Sequence, residues 1–498
     1  MPAARSPSLC RRLACTGIAL LLALGAVSGT AQVLRSADQT LARIPAVRVQ
    51  RAGVIVPGTP GQYNASITVR YGPSRPRAIL LLMPGYLGGA GSFDRLARQI
   101  VARDPGVAVW AVDRRSNTLE PQAQLAGADT ATLTRIVQEG LPVVSPERVP
   151  FMRDWGLDVA LRDWRAAVQE ARRLTPDVFL GGHSLGASLS GLYAAYDFGG
   201  HAGADDVRGL VMLDGLPGTL ADHDLGADQY DQGGLNALGV LPGLRQLGRR
   251  PYVDTLVFGP KLASRAAAQA RLAAAAPDDP APERGLSTVP ATNLAACLLQ
   301  LESRYALLPF LTVQTGQPTN AIEAPSFLAL ALGGRDSRWL VGPQDTSRPV
   351  GWQDDPAAPT DGLDFVNRYW TPLADYTEWY FPNRLTLDVA AARTGTLGTP
   401  FEQTLKVWHT ADLTLPVLGI AAERGVTHAA DFVAYGNTTR GAVTVRTLAG
   451  ASHLDIVAAR SDQVARWIVG WMQPLRTPAP GPVAGSADDD LAAAYVSP

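Results

Sequence analysis

Lysine is almost missing from this chain, which carries its positive charge on arginine. Lys261 and Lys406 are the only lysines among 498 residues, and the formal net charge is −1. No long run of basic residues occurs anywhere in the sequence. A protein that binds nucleic acid or an anionic membrane by electrostatics needs such a run or patch. We therefore expect no nucleic-acid partner and no obligate membrane partner.

Cysteine is also scarce. Of the three cysteines, Cys10 and Cys15 fall in an N-terminal segment that we expect to be removed. Cys297 would then stand alone, which excludes an intramolecular disulfide, and its apolar neighbours predict a buried, unreactive thiol. The sequence also has no Cys/His ligand cluster, no phosphate-binding loop and no dinucleotide fingerprint. We expect neither a metal nor an organic cofactor.

Residues 1–31 have the pattern of a secretory signal peptide. Three arginines precede the apolar run Leu13–Val27, and a small-residue cleavage site ends at Ala31. The apolar run is short for a membrane span. The prediction is cleavage near Ala31 and a secreted, periplasmic or cell-envelope protein, with an uncleaved N-terminal membrane anchor as the alternative.

Apolar runs alternate with amphipathic stretches over residues 32–214. Two runs, Ala78–Met83 and Val107–Asp113, are uninterrupted, as in parallel strands covered on both faces. An antiparallel hairpin is expected over 47–71, and an amphipathic helix over 155–174. Strands and helices in this alternation predict an α/β fold with a doubly wound, mostly parallel sheet.

The alternation stops over residues 215–406 and resumes over 407–473. A structureless loop of that length is not expected inside a compact domain, so we predict a folded, mainly helical insertion. Its aromatic residues either line an apolar pocket or form the insertion's own core, and we expect the core for at least half of them. They are Trp339, Trp352, Trp370, Tyr376, Trp379, Tyr380 and Phe381. Residues 474–498, rich in Pro, Ala, Gly and Asp, are predicted to be a disordered tail.

Gly182, Ser184 and Gly186 form a G-x-S-x-G motif that joins an apolar strand to a helix of small residues. This is the pattern of a nucleophile elbow, in which a serine lies on a sharp turn above a parallel sheet. Side chains at the two glycine positions would strike the neighbouring strand or helix. The motif predicts Ser184 as a nucleophile, which needs a base and donors for the oxyanion that forms.

His453 is the predicted general base. It lies on a Gly-Ala-Ser-His turn between the last strand and the last helix, which is expected over 455–472, and from there it can reach the edge of the sheet that carries Ser184. His409 and His428 flank the resumed sheet and are secondary candidates. His183, beside the nucleophile, is expected to point away from the reacting atoms and to pack behind them.

The oxyanion donors are predicted to be backbone amides. One is that of Leu185, directly after the nucleophile, and the other is that of Tyr86 in the glycine-rich loop after the third strand. Arg114 and Arg115 follow the fourth strand at the same edge. They can hold an anionic group of a substrate, but ion pairs with carboxylates of the insertion are the preferred interpretation.

These motifs resemble the α/β-hydrolase superfamily over residues 45–214 and 407–473. Pro84-Gly-Tyr-Leu-Gly88 is similar to the family's His-Gly-x-Pro-Gly segment, with Pro84 in place of the histidine. The elbow around Ser184 and the loop ending at His453 match in type and order. The resemblance implies an α/β-hydrolase fold, a Ser-acid-His triad and a cap at the position of the insertion.

The acid of the triad departs from the family pattern. An Asp is expected where this chain has Gly425. Asp214, at the end of the strand after the elbow helix, is the preferred acid because some relatives use that position. Glu423, one residue past the penultimate strand, is the alternative, and Asp412 and Asp431 rank behind them.

The predicted function is that of an exported serine hydrolase cleaving small-molecule carboxylic esters with a hydrophobic part. A serine nucleophile excludes the branches that attack through a carboxylate, namely epoxide hydrolases and haloalkane dehalogenases. A peptidase, amidase or acyltransferase using the same triad is the nearest alternative. An exported binding protein that keeps the fold without turnover is the alternative from another class.

Overall fold

The computed structural model describes residues 39–477, apart from 219–224, 237–238, 256, 307–310, 328–336 and 372–376. The predicted signal peptide, most of the predicted tail and Tyr376 lie outside these residues. Within the described ranges, no helix is both long enough and apolar enough to cross a membrane.

Eight strands form the central sheet. They are β1 (Ala46–Ala52), β2 (Ala65–Tyr71), β3 (Ala78–Met83), β4 (Val107–Asp113), β5 (Val178–His183), β6 (Leu210–Leu213), β13 (Val417–Arg424) and β14 (Val443–Ser452). Their order across the sheet is β1-β2-β4-β3-β5-β6-β13-β14. β2 is antiparallel to both neighbours, and every pair from β4 to β14 is parallel. The prediction of a mostly parallel sheet is confirmed.

Helices cover both faces of this sheet. The core helices are α1 (Asp94–Arg103), α2 (Thr130–Glu139), α3 (Leu157–Arg172), α4 (Leu185–Ala195), α11 (Ala429–Thr438), α12 (Asp455–Ala458) and α13 (Gln463–Met472). Alternate residues of β3 face opposite sides: Leu81 packs with α3 and α4, and Leu80 packs with α1 and α13. This two-sided burial explains why β3 and β4 read as uninterrupted apolar runs.

The stretch between β6 and β13 contains short helices and three small antiparallel sheets. The helices are α5 (Ala227–Gln232), α6 (Pro260–Ala275), α7 (Asn293–Leu298), α8 (Gly362–Phe365), α9 (Asn383–Ala392) and α10 (Glu402–Leu405). The strands are β7 (Gly233–Asn236), β8 (Gly239–Pro242), β9 (Gly316–Thr319), β10 (Ala321–Pro325), β11 (Arg338–Pro343) and β12 (Gly351–Asp354). They pair as β7 with β8, β9 with β12, and β10 with β11. The sequence interpretation did not identify these pairs, because each strand has only four to six residues and no regular alternation.

The last predicted helix, 455–472, is two helices instead of one. α12 ends at Ala458, and α13 begins at Gln463. Between them, the amide of Arg460 donates to Pro359 of the insertion (2.8 Å). A backbone amide that bonds to a distant carbonyl is not available for a continuous helix. The insertion therefore interrupts the helix that follows His453.

Candidate active site

Ser184 lies on the turn between β5 and α4. Its backbone has φ 57° and ψ −123°, a region that costs free energy for any residue with a side chain. A Cβ atom on Gly182 would overlap the backbone of Gly186, and one on Gly186 would overlap the carbonyl of Met83. The two glycines therefore allow the helix to begin directly against the sheet. Ser184 itself is half-buried, whereas its neighbours along the chain are buried.

His453 follows β14 and lies beside Asp214, which follows β6. The distance from His453 Nδ1 to Asp214 Oδ2 is 2.6 Å, and the side chains are 1% and 0% exposed. An ionised carboxylate can only accept, so Nδ1 carries the proton and Nε2 is left to accept one. His453 and Ser184 line the same cavity. Among the hydrogen bonds of the described residues, none joins these two side chains. In structures without substrate, hydrogen bonds of this kind are often long.

The carboxylate of Asp214 is held by the end of β13 and the loop that follows it. Oδ1 accepts from the amides of Ala422 and Thr427 (both 3.2 Å), and Oδ2 accepts from the amide of Val426 (3.1 Å). These donors solvate a buried negative charge. A Cβ atom on Gly425 would overlap the Asp214 carboxylate. The position where the family pattern places an Asp is thus closed to any side chain while Asp214 occupies the site.

Glu423, the alternative acid, is exposed, and no hydrogen bond or ion pair among the described residues joins it to the imidazole. Its Oε2 accepts from the amide of Gly450 at 2.5 Å. Gly450 lies near the end of β14, so Glu423 is bonded to the strand that leads to His453, whereas Asp214 is bonded to the ring.

The remaining candidates lie elsewhere. Asp412 pairs with Arg440 at 3.3 Å, and Asp431 accepts from the amide of His428 at 2.7 Å, at the start of α11. The ring of His409 bonds to Asp197 at 3.2 Å. None of these contacts involves Ser184 or His453.

The backbone amides of Leu185 and Tyr86, the predicted oxyanion donors, lie on the two segments beside Ser184. Leu185 is the first residue of α4, so its amide is one of the donors that a helix leaves without an intrahelical partner. Tyr86 lies in the loop after β3, which is closed by a bond from the amide of Gly88 to the carbonyl of Gly85 (3.1 Å). A Cβ atom on Gly85 would lie 3.0 Å from the Cβ of Ser184. The loop therefore runs directly against the serine.

His183 packs behind the base. The two imidazole rings of His183 and His453 are 4.3 Å apart between centroids, and His183 Nε2 lies 3.0 Å from the backbone carbonyl of His453. Burial, together with the neighbouring His453, lowers the pKa of His183 well below its ordinary value. His183 is therefore neutral at physiological pH, and its Nε2–H donates to that carbonyl.

Asp455 ties the His453 loop to the insertion, a role that sequence reasoning missed. Its carboxylate accepts from the amide of Ser452 (2.7 Å), the hydroxyl of Thr360 (2.6 Å) and the amide of Gln314 (3.3 Å). The amide of Leu454 also donates to the carbonyl of Thr312 (2.9 Å). No sequence signal links Asp455 to Thr360 and Gln314, because its partners are far away along the chain.

A cavity of about 680 Å³ opens onto Ser184 and His453. Most of its lining comes from apolar residues of the insertion, including Leu262, Leu299 and Leu301. The predicted aromatic residues divide between two roles. Trp339, 56% exposed, lines the cavity, and Trp370 lines it while also being buried. Trp379, Tyr380 and Phe381 are buried, and their clusters include residues of 32–214, so they do not form a core of the insertion alone.

Arg114 and Arg115 both form buried ion pairs. Arg114 Nε lies 2.5 Å from Glu378 of the insertion, as the preferred interpretation expected. Arg115 instead pairs with Asp163 of α3 at 2.6 Å, within the core.

The strand order, the elbow after β5 and the chain order Ser184, Asp214, His453 define the α/β-hydrolase fold, and this chain has that fold. No protein-family model and no curated protein matches the sequence.

Solved structures with a similar fold belong to several hydrolases. One is a provisionally assigned lipase from Sulfolobus solfataricus, at 14% identity and a TM-score of 0.48, with 87% of this chain and 95% of that chain covered. Another is an epoxide hydrolase from an endophytic Streptomyces, at 16% identity and a TM-score of 0.42, with 86% of this chain and 96% of that chain covered. A third is a haloalkane dehalogenase from Bradyrhizobium elkani, at 12% identity and a TM-score of 0.39, with 86% of this chain and 99% of that chain covered. None of these similarities is close enough to indicate a function. The fold assignment depends on the strand order and the elbow of this chain itself.

Proposed function

We propose that the protein is a serine hydrolase that cleaves carboxylic esters. The observation that carries this proposal is the arrangement around one serine: the strained, half-buried Ser184, a buried His-Asp pair whose histidine lines the same cavity as the serine, and two backbone amides on the segments beside it. Backbone strain of this kind persists only where the surrounding structure enforces it, and it is concentrated at functional sites.

The proposed reaction has two halves. Ser184 Oγ attacks the ester carbonyl while His453 Nε2 takes its proton, and the carbonyl oxygen becomes an oxyanion held by the amides of Leu185 and Tyr86. The C–O bond to the leaving alcohol then breaks as His453 returns the proton to that alcohol. Water repeats the cycle on the acyl-enzyme and releases the acid, and Asp214 stabilises the imidazolium in both halves.

The cavity supports an ester with a hydrophobic part as substrate. Its volume of about 680 Å³ is within the range of small-molecule sites, which bind mostly through apolar lining and a few polar groups. The apolar lining supplied by the insertion would hold an acyl chain or an aromatic group, and the polar groups at the serine would hold the ester.

The test is hydrolysis of p-nitrophenyl esters of increasing acyl length by the protein from Gln32 onward. We expect turnover that disappears in Ser184→Ala, and an optimum at a chain length set by the cavity. Labelling of Ser184 by a fluorophosphonate is the independent readout.

Parallel substrates separate the alternatives. Faster turnover of matched anilides would favour an amidase or peptidase, and transfer to an added alcohol in preference to water would favour an acyltransferase. No turnover of any of these substrates, together with no labelling of Ser184, would contradict the proposal and favour a binding protein.

We also propose that the protein is exported, on the basis of the residue pattern in positions 1–31. The mature protein from the producing cell should then begin near Gln32. An intact N-terminus on membrane-bound protein would instead indicate an anchor.

A further inference from the structure

The loop that carries the Tyr86 amide is bound from behind by one arginine. Arg114 Nη1 donates to the carbonyl of Pro84 (3.1 Å), and Nη2 donates to the carbonyls of Gly85 and Gly88 (2.9 Å each). The Arg114 side chain is only 4% exposed. Three carbonyls of one short loop therefore share a single buried cation.

These bonds fix the direction of the amide proposed to hold the oxyanion. The carbonyl of Gly85 and the N–H of Tyr86 belong to the same peptide group, and in a planar trans peptide they point in opposite directions. With the Gly85 carbonyl held by Arg114, the Tyr86 N–H points away from the guanidinium. A charge-assisted bond to the carbonyl also polarises that peptide group, which makes its N–H a stronger donor.

Within the loop, only the bond from the Gly88 amide to the Gly85 carbonyl (3.1 Å) favours the same orientation among the described hydrogen bonds. Glycines at 85 and 88 leave the backbone free to rotate, and Leu87 already has a positive φ of 56°. A rotated Gly85–Tyr86 peptide would direct an oxygen, instead of an N–H, toward the developing oxyanion.

Arg114 is in turn held by the insertion. Its Nε lies 2.5 Å from Oε2 of Glu378, and Oε1 of the same carboxylate accepts from the hydroxyl of Ser116. The amide of Glu378 donates to the carbonyl of Leu87 (2.7 Å). Glu378 therefore contacts the oxyanion loop both directly and through Arg114.

We propose that Arg114 is a positioning residue for the oxyanion site, held in place by Glu378, so that the insertion completes the catalytic site as well as the substrate cavity. This inference rests on the proposed hydrolase function. Arg114 itself touches neither substrate nor reacting atoms, and its effect passes through the Tyr86 amide.

The test compares the wild type with Arg114→Met/Glu378→Gln, because Arg114→Met alone would leave a buried carboxylate without its partner. Loss of one oxyanion donor lowers kcat by about 10²–10³-fold, so we expect a fall of that size with KM nearly unchanged. The Ki of a trifluoromethyl ketone, which forms a hemiketal oxyanion on Ser184, should rise in parallel. Binding of the matching alcohol, which forms no oxyanion, should not change.

The matched control is Arg115→Met/Asp163→Asn. It removes an equally buried ion pair, with side chains 3% and 9% exposed, that does not bond to the loop. The inference is overturned if the Arg114 variant, shown to be folded by its melting transition, changes kcat and the ketone Ki no more than this control does. Failure of the proposed function is distinguishable, because the wild type would then show no turnover, and the inference would fall with it.

Discussion

Asp214→Asn is the perturbation that examines the proposed triad most directly, because it exchanges one oxygen for NH2 at nearly constant volume. Both carboxylate oxygens accept backbone amides, Oδ1 from Ala422 and Thr427 and Oδ2 from Val426. An NH2 group at the Oδ1 position would leave two amides unpaired. At the Oδ2 position it would leave one amide unpaired, and His453 Nδ1, which now donates there, can change tautomer and accept. The new NH2 is therefore expected to replace Oδ2 and to face the ring of His453.

A donor at that position reverses the tautomer of the base. His453 Nδ1 would have to accept, its proton would move to Nε2, and Nε2 could no longer take the proton of Ser184. A triad histidine in the wrong tautomer lowers kcat by about 10⁴-fold, which corresponds to about 5 kcal/mol of transition-state stabilisation. The unpaired Val426 amide should cost about 1–3 kcal/mol of folding free energy, which a folded domain can tolerate.

The assay is kcat on the best p-nitrophenyl ester for the wild type, Asp214→Asn and Glu423→Gln, with urea unfolding to confirm that each variant is folded. Glu423→Gln should remain close to wild type, since its exposed side chain bonds to the Gly450 amide of β14 and the oxygen of Gln can still accept that bond. The reasoning is refuted if folded Asp214→Asn stays within about tenfold of wild type, or if Glu423→Gln loses as much activity as Asp214→Asn.

Three further outcomes are expected. Ser184→Gly should raise the urea midpoint above that of Ser184→Ala, because glycine relieves about 1–3 kcal/mol of strain at this φ; equal midpoints would contradict the strain. Gly425→Ala should lower kcat sharply, since its Cβ would displace the Asp214 carboxylate; unchanged turnover would show that the loop can move aside. Burial raises the pKa of Asp455 to about 7 in the folded protein, whereas the unfolded chain has the ordinary value of about 4. The folding stability that this shift contributes is complete below about pH 4 and is lost as the pH rises toward 7. The melting temperature should fall as the pH rises over that window, and the fall should be smaller in Asp455→Asn. An equal fall in that variant would exclude Asp455 as the cause.

Much of the fold followed from local signals in the sequence. The bounds expected for β3 and β4 are the observed ones, because strands buried on both faces must be apolar throughout. The elbow was recognisable because a helix that begins against a sheet requires glycine at positions 182 and 186, whatever the rest of the chain does. The bounds of the small strands of the insertion were not recognisable, since four to six residues carry too little periodicity.

The sequence by itself determined which residue types are available at the ends of the strands: a serine on an elbow, a histidine on the last loop, and two carboxylates at 214 and 423. Only the tertiary structure shows which of those carboxylates lies beside the imidazole of His453. The choice depends on where the loop after β13 directs its amides and on the lack of space for a side chain at Gly425, and neither is encoded in a local pattern. The same holds for Arg114 and Asp455, whose partners in the insertion are distant along the chain and meet them only because the insertion packs against the site. Local sequence specifies elements and turns, whereas contacts between distant segments exist only once those elements have packed together.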